Sequence, residues 1–154
     1  FLDTKTLSLQ HYHTLDLPVI MTGENDYIPG TAFFITKDAF VRTGGMNESY
    51  HTYWEDVDFS FRARRLGFRM ARSFDANISH LVGKTCHKKS VYTTYYFQRN
   101  RIRFAISHLD PDYRKKLKEV MESDLKLLLE KSIAKNDKTK IGYIEEIFQE
   151  LKML

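Results

Sequence analysis

The sequence has few of the residues that mark disulfide scaffolds, zinc sites or nucleotide-binding loops. Its single cysteine, Cys86, can form no internal disulfide and supplies no cysteine-rich zinc site, which favours a reducing compartment. Its six histidines show neither H-x-x-x-H nor H-E-x-x-H spacing, which excludes a zincin-type site. Neither the P-loop pattern G-x-x-x-x-G-K-S/T nor the dinucleotide pattern G-x-G-x-x-G occurs.

Long apolar runs are also missing. None approaches the ~20 residues that a membrane-spanning helix needs, and the N-terminal stretch 1–18 is too polar for a signal peptide. The chain does not start with methionine, so we expect it to begin inside a longer protein. These absences favour a cytoplasmic protein, with the inner face of the membrane as the other location.

The composition that remains is typical of a folded, soluble domain. Hydrophobic residues make up 42% of the chain and charged residues 29%, which argues against disorder. The formal net charge is +4, and Lys and Arg cluster at 62–72, 84–89, 99–103 and 114–118. Such a basic surface suits nucleic acid, anionic lipid or a phosphorylated small molecule. Because no recognised nucleic-acid motif occurs, we expect no nucleic-acid partner.

Residues 1–108 are rich in aromatics, glycine and histidine, and their patterns predict both strands and helices. The apolar run Ala32–Ile35 predicts a strand, and Thr36 is a suitable N-cap for a short helix after it. Residues 56–66 predict a second helix, because acids lie at its start, bases lie towards its end, and Gly67 follows.

Later patterns predict short strands around a turn at 74–75 and a helix over 90–109. Residues 109–154 carry dense charge and apolar residues at helical spacing, so we expect amphipathic helices there, the first starting at Asp110-Pro111. The order of strand, helix, strands and then helices predicts an α/β or α+β fold.

Two adjacent carboxylates, Glu55 and Asp56, stand at the start of the 56–66 helix. Like charges disfavour ionisation whereas a helix N-terminus favours it, so one of the pair could be poised as a general base. The alternative is that acids in a first helical turn only stabilise the helix. His80 follows a predicted strand, which suits a metal ligand, although a lone histidine more often makes a structural hydrogen bond.

Basic residues gather in the segments GKTCHKK and FQRNRIR. Lys84 follows a predicted strand, and Arg99 and Arg103 share a helix face at i,i+4 spacing. They could form a cationic wall for phosphates, and a solvated basic face explains them equally well.

An ordered series of motifs connects these features. The segments IPGTAFFITKDAFVRTGGMNESYHTYWEDVDFSFRARRLGFRMARSFDANISHLVGKT and YYFQRNRIRFAI resemble the C-terminal half of the catalytic domain of family 2 glycosyltransferases. The rhamnosyltransferase-like and galactofuranosyltransferase-like members are the most similar. The shared steps run in order across residues 28–106 and include a GG turn, W-E-D-x-D, a helix ending in glycine, a histidine before a basic loop, and a helix with RN.

The resemblance implies an α/β fold: a partial GT-A domain, Rossmann-like, followed by C-terminal amphipathic helices. Residues 1–108 would form its acceptor and base half, and residues 109–154 a helical tail. It implies inverting transfer of a sugar from a nucleotide-diphospho-sugar to a glycan or lipid-linked acceptor, as in cell-wall polysaccharide biosynthesis. Such transfer is metal-dependent in the family, so the resemblance also implies a divalent metal, Mn²⁺ or Mg²⁺.

The resemblance assigns roles to individual residues. Asp56 matches the catalytic base, and Glu55 would place the acceptor or tune Asp56. Tyr53 and Trp54 would form an aromatic wall facing the acceptor. His80 stands where family members have a metal ligand.

Basic residues receive a role as well: Arg99 and Lys84 would face the diphosphate or an anionic acceptor. The family's metal-binding D-x-D lies in the N-terminal half of its domain. The triplet Asp56-Val57-Asp58 is therefore not expected to bind the metal, and Asp58 is interpreted as the i,i+4 partner of Arg62.

The N-terminal half of the family's domain, with its nucleotide-binding acids and the remaining metal ligands, has no counterpart in this chain. We therefore expect a fragment that is inactive by itself. A non-catalytic glycan- or protein-binding module derived from a glycosyltransferase is the alternative. The tail at 109–154 is expected to pack as ordinary helices, with peripheral contact to an anionic membrane as the other interpretation.

Overall fold

The structure, a computed structural model, describes residues 23–73, 76, 78–81 and 90–154, together with the backbone of three short strand segments at 2–3, 8–9 and 20–21. Lys84 and Cys86 lie outside the described residues. The chain forms two compact units, Phe1–Val82 and Gly83–Leu154.

The first unit contains short strands and two helices. The strands are β1 (Leu2–Asp3), β2 (Ser8–Leu9), β3 (Ile20–Met21) and β4 (Met70–Ala71). The helices are α1 (Lys37–Arg42) and α2 (Glu55–Arg65), with a 3₁₀ turn at Glu48–Tyr50 between them. Both strand pairs are antiparallel: β1 with β2, where Leu2 faces Leu9, and β3 with β4, where Met21 faces Met70.

The predicted α/β, Rossmann-like fold is wrong. Helices make up most of the described residues, and each described strand has only two residues. The run Ala32–Ile35 was expected to be a strand, but it has no strand beside it among the described residues. An apolar run becomes a strand only when a neighbour accepts and donates its backbone hydrogen bonds. Here the run is anchored by a side chain instead, since the Phe33 ring meets the Phe59 ring edge-on at 5.4 Å.

Helix α2 follows its predicted bounds closely. The helix ends in a Schellman motif, in which Phe68 N–H donates to the Ala63 carbonyl at 3.1 Å and Gly67 N–H donates to the Arg64 carbonyl at 2.8 Å. Gly67 has a φ of +84°, a left-handed conformation that suits glycine at this position. The prediction that Gly67 is the C′ residue that terminates α2 is confirmed.

The second unit is a bundle of three helices: α3 (Val91–His108), α4 (Pro111–Ala134) and α5 (Lys138–Leu151). As predicted, Asp110 caps α4, with its carboxylate accepting two backbone N–H bonds and Pro111 in the first turn. Helix α5 packs against both α3 and α4, and a salt bridge of 2.8 Å joins Arg103 to Glu150. The apolar residues of this core are Ile102, Phe104, Ala105, Leu117, Met121, Leu125, Ile144, Ile147 and Leu151.

Helix α3 was predicted within residues 1–108, and here it packs with the helices of 109–154. The functional assignment of those two segments stays a prediction. None of the described helices is both long and apolar enough to cross a membrane.

Candidate functional site

Helix α2 has two polar faces, and each binds a different segment of the chain. Asp56 and Asp58 are two residues apart, which turns their side chains by about 200° around the helix axis. Asp58 is buried and forms a 2.7 Å salt bridge with Arg62, as predicted. Arg62 also donates to the carbonyls of Thr43 and Gly45, so this face fixes the turn after α1. Because they face apart, Asp56 and Asp58 cannot act as paired ligands of one metal ion.

The opposite face of α2 holds a segment that we call the strap, residues 24–31. Three α2 side chains at i, i+4 and i+8 spacing bind its backbone, namely Asp56, Ser60 and Arg64. The Arg64 guanidinium donates to the carbonyls of Glu24 and Asp26. The Ser60 hydroxyl accepts the N–H of Ile28 at 3.1 Å, and the Asp56 carboxylate accepts the N–H of Gly30 at 2.8 Å. The strap therefore runs along α2 in the opposite direction to the helix.

Asp56 is half-buried at the first turn of α2, and both of its carboxylate oxygens accept backbone hydrogen bonds. Oδ2 accepts from Gly30, and Oδ1 accepts from the N–H of Val57 at 2.8 Å. Donors of this kind favour the ionised form of a carboxylate. Gly30 places no side chain beside it, and a Cβ there would lie 3.6 Å from Oδ2. The Asp56 carboxylate is therefore held in a fixed direction and is bordered by a glycine.

The end of the strap also contacts His80. The Thr31 hydroxyl lies 3.3 Å from Nδ1 of the His80 ring. Gly30 and Thr31 are neighbours, so consecutive strap residues contact the predicted base and the predicted metal ligand. Gly30, Thr31 and His80 are all exposed, which leaves this group open to a large ligand. The structure thus brings Asp56 and His80 to one end of the strap.

The charge of Asp56 contributes to the pKa shifts of two further ionisable groups. Burial raises the pKa of Glu55, the negative charge of Asp56 raises it further, and a backbone hydrogen bond lowers it. The Glu55 Oε2 atom is buried and has no hydrogen-bond partner among the described residues. Burial also raises the pKa of Tyr27 far above its usual range, with the charge of Asp56 as the second cause. Tyr27 is 3% exposed and was missed by the sequence analysis.

The loop before α2 has an unusual backbone. His51, Tyr53 and Trp54 have φ angles of 63°, 63° and 74°, in the left-handed region that non-glycine residues rarely adopt. Such conformations cost about 1–3 kcal/mol each and cluster at functional sites. Trp54 is only 1% exposed, so its ring offers no surface to solvent, whereas Tyr53 is half-buried. The acceptor-facing role of these two residues stays a prediction.

The other predicted ligands are not gathered into one site. Among the residues described in both units, no three His, Cys, Asp or Glu side chains form a group that could hold a metal ion. These residues do not by themselves fit the implied metal, and His80 as its ligand stays a prediction. Arg99 lies in α3, with its guanidinium 4.6 Å from the centre of the Tyr96 ring and its Nε donating to Asn100. Its phosphate-binding role is likewise a prediction, as is that of Lys84.

The comparisons with known proteins give one similarity. No protein-family profile matches the chain, and no solved structure does. Over 78 residues the chain is 32% identical to the low-salt glycan biosynthesis hexosyltransferase Agl10 of Haloferax volcanii. The match covers 49% of this chain and 25% of that protein, so the chain spans about a quarter of the length of the relative. It indicates a distant relationship to a glycosyltransferase.

Proposed function

We propose that this chain carries the acceptor and base part of an inverting, family 2-like glycosyltransferase. The similarity to a hexosyltransferase supports the class of enzyme. The observation that carries the reaction is the Asp56 carboxylate, held at 2.8 Å by the Gly30 N–H beside the exposed Thr31 and His80. The chain spans about a quarter of its relative, so we place the residues that bind the nucleotide-diphospho-sugar elsewhere in the protein.

The reaction needs a base on the acceptor side of the sugar. The acceptor hydroxyl loses its proton to Asp56 while its oxygen forms a bond to the anomeric carbon, and the bond from that carbon to the nucleoside diphosphate breaks. The configuration is inverted because attack and departure occur on opposite faces. Two backbone donors hold the Asp56 carboxylate in one direction, and a general base must be positioned in this way before the acceptor arrives.

The neighbours of Asp56 have supporting roles in this proposal. Glu55, whose raised pKa reflects burial first, lies next to the base and would orient the acceptor or tune Asp56. The exposed surface around Thr31 and His80 suits a glycan or the sugar of a lipid-linked acceptor better than a small enclosed substrate. A divalent metal with His80 as one ligand belongs to the proposal, and no step above depends on it.

The test is Asp56→Asn in the full-length protein, assayed for sugar transfer with a panel of nucleotide-sugars and Mn²⁺. Loss of a general base is expected to lower kcat by about 10²–10⁴-fold while donor binding is kept. Asp38→Asn, an exposed carboxylate of α1, is the matched control and should leave transfer unchanged.

Unchanged transfer in Asp56→Asn would mean that Asp56 only stabilises α2. If the unaltered full-length protein transfers no sugar from any donor, the non-catalytic binding module takes the place of the enzyme.

A further inference from the structure

Ser60 lies in the middle of α2, about one helical turn after Asp56, and is only 1% exposed. Serine is a modest helix former, because its hydroxyl competes for backbone hydrogen bonds. Here the hydroxyl accepts a backbone donor from a distant segment, the N–H of Ile28, at 3.1 Å. The buried polar group of Ser60 is therefore used to hold the strap on α2.

The part of the strap that joins the Ser60 contact to the Asp56 contact is short and stiff. Only Pro29 separates Ile28 from Gly30. Proline fixes its own φ near −65° and restricts the residue before it to extended conformations. Because proline has no N–H, Ile28 and Gly30 supply successive donors, and α2 side chains accept both. The placement of the Ile28 peptide therefore constrains the direction of the Gly30 N–H.

The strap keeps other contacts with α2 when the Ser60 hydroxyl is removed. The Arg64 guanidinium donates to two carbonyls near the start of the strap. Tyr27, the residue before the Ser60 contact, is buried. Loss of the hydroxyl should therefore release residues 28–30 and leave the earlier part of the strap in place.

We propose that Ser60 is a positioning residue for the proposed base, Asp56. By accepting the N–H of Ile28, Ser60 holds the N–H of Gly30 on the carboxylate. The inference rests on the proposed function, because that function gives Asp56 its role. Without the Gly30 donor, the carboxylate keeps the backbone donor of Val57 but loses the contact that fixes its other oxygen.

The test is Ser60→Ala in the full-length protein, with Ser132→Ala as the matched control. Ser132 is also a buried helix serine, 2% exposed, and its hydroxyl donates to the Leu128 carbonyl at 2.7 Å. Ser60→Ala should lower kcat by about 10–10²-fold, the scale of a misplacement of up to ~1 Å, with an unchanged KM for the nucleotide-sugar. Ser132→Ala should leave kcat unchanged. An unchanged kcat in Ser60→Ala, or equal losses in the two variants, overturns the proposal.

A double variant separates positioning from a general loss of structure. If Ser60 acts only through Asp56, adding Ser60→Ala to Asp56→Asn should change the residual transfer by less than about twofold. A purely structural effect would lower transfer by the same factor in both backgrounds, and that result refutes the positioning role.

Amide hydrogen exchange reports the same contact without turnover. In the full-length protein labelled with ¹⁵N-glycine, the Gly30 signal is identified by its absence from Gly30→Ala. Ser60→Ala should make the Gly30 amide exchange about tenfold faster, and Ser132→Ala should not. The fluorescence of buried Trp54 shows whether each variant is folded. If Ser60→Ala is unfolded, Ser60→Cys replaces it with the same expected results, since sulfur nearly keeps the volume but is a weak acceptor.

Asp56→Asn separates this inference from the proposed function. If transfer depends on Asp56 but Ser60→Ala changes neither kcat nor Gly30 exchange, the enzyme stands and the positioning role fails. If no protein transfers sugar, faster Gly30 exchange in Ser60→Ala still supports the link from Ser60 to the Asp56 contact, and unchanged exchange refutes it.

Discussion

Two Asp–Arg pairs among the described residues of the first unit offer a matched comparison of burial. Asp58 and Arg62 in α2, and Asp38 and Arg42 in α1, have the same residue types and the same i,i+4 spacing. The Asp58 side chain is 3% exposed, whereas that of Asp38 is 66% exposed. Replacing each aspartate by asparagine therefore changes one charge in two very different environments.

The buried substitution should cost far more. Breaking a buried ion pair on one side costs about 3–5 kcal/mol, because the remaining charge is left uncompensated. Arg62 keeps its hydrogen bonds to the carbonyls of Thr43 and Gly45, so we expect the lower end of that range, about 3 kcal/mol, for Asp58→Asn. The exposed pair should cost only about 0.3–0.5 kcal/mol in Asp38→Asn.

Urea unfolding followed by tryptophan fluorescence measures the difference. Trp54 is the single tryptophan, is 1% exposed and lies in the same unit as both pairs. With a slope of about 1–3 kcal/mol per molar urea, Asp58→Asn should lower the midpoint by about 1–3 M. Asp38→Asn should lower the midpoint by only about 0.1–0.5 M. Equal shifts in the two variants would refute the argument that burial determines how much each ion pair contributes to the free energy of unfolding.

Three other substitutions test single features. Glu55 has a raised pKa in the folded state, so the folded protein binds more protons than the unfolded one and stability falls as pH rises above the ordinary value of 4.5. Glu55→Gln should therefore be more stable than the unaltered protein at pH 7 and equally stable below pH 4, by urea midpoints; a lower midpoint at pH 7 would contradict this. Gly142→Ala, within α5 and with open space around it, should gain about 0.5–1 kcal/mol, whereas Gly67→Ala should lose about 1 kcal/mol because of its positive φ. The thermal midpoints of Gly142→Ala and Gly67→Ala should move by a few degrees in opposite directions, and shifts of the same sign would contradict this expectation.

The local features of the fold were predictable from the sequence. Helix α2 was expected over 56–66 and spans 55–65, and the caps at Thr36 and Asp110 are where they were expected. Caps, the order of charges and a terminal glycine act over a few residues, so a short stretch of sequence is enough to determine where these helices begin and end. The pairing of Asp58 with Arg62 is equally local.

The contacts that build the candidate site are not local. Ala32–Ile35 was expected to be a strand because it is apolar, but whether such a run becomes a strand depends on a partner that its own sequence does not specify. The strap reaches α2 across 26 to 40 positions of sequence, and no periodic pattern reports such a contact. The spacing of Asp56, Ser60 and Arg64 was a signal, since three polar residues on one helix face need partners.

Every second residue of the strap lies opposite every fourth residue of α2, because the two spacings are nearly equal in length. Two residues of an extended chain advance about 6.7 Å, and four residues of a helix advance about 6 Å. Strap positions 26, 28 and 30 therefore meet helix positions 64, 60 and 56 in turn. Removing or adding one residue between 26 and 30 would turn the next N–H away from its acceptor and leave Asp56 without its Gly30 donor. The length of this short segment is thus as much a part of the site as its residues.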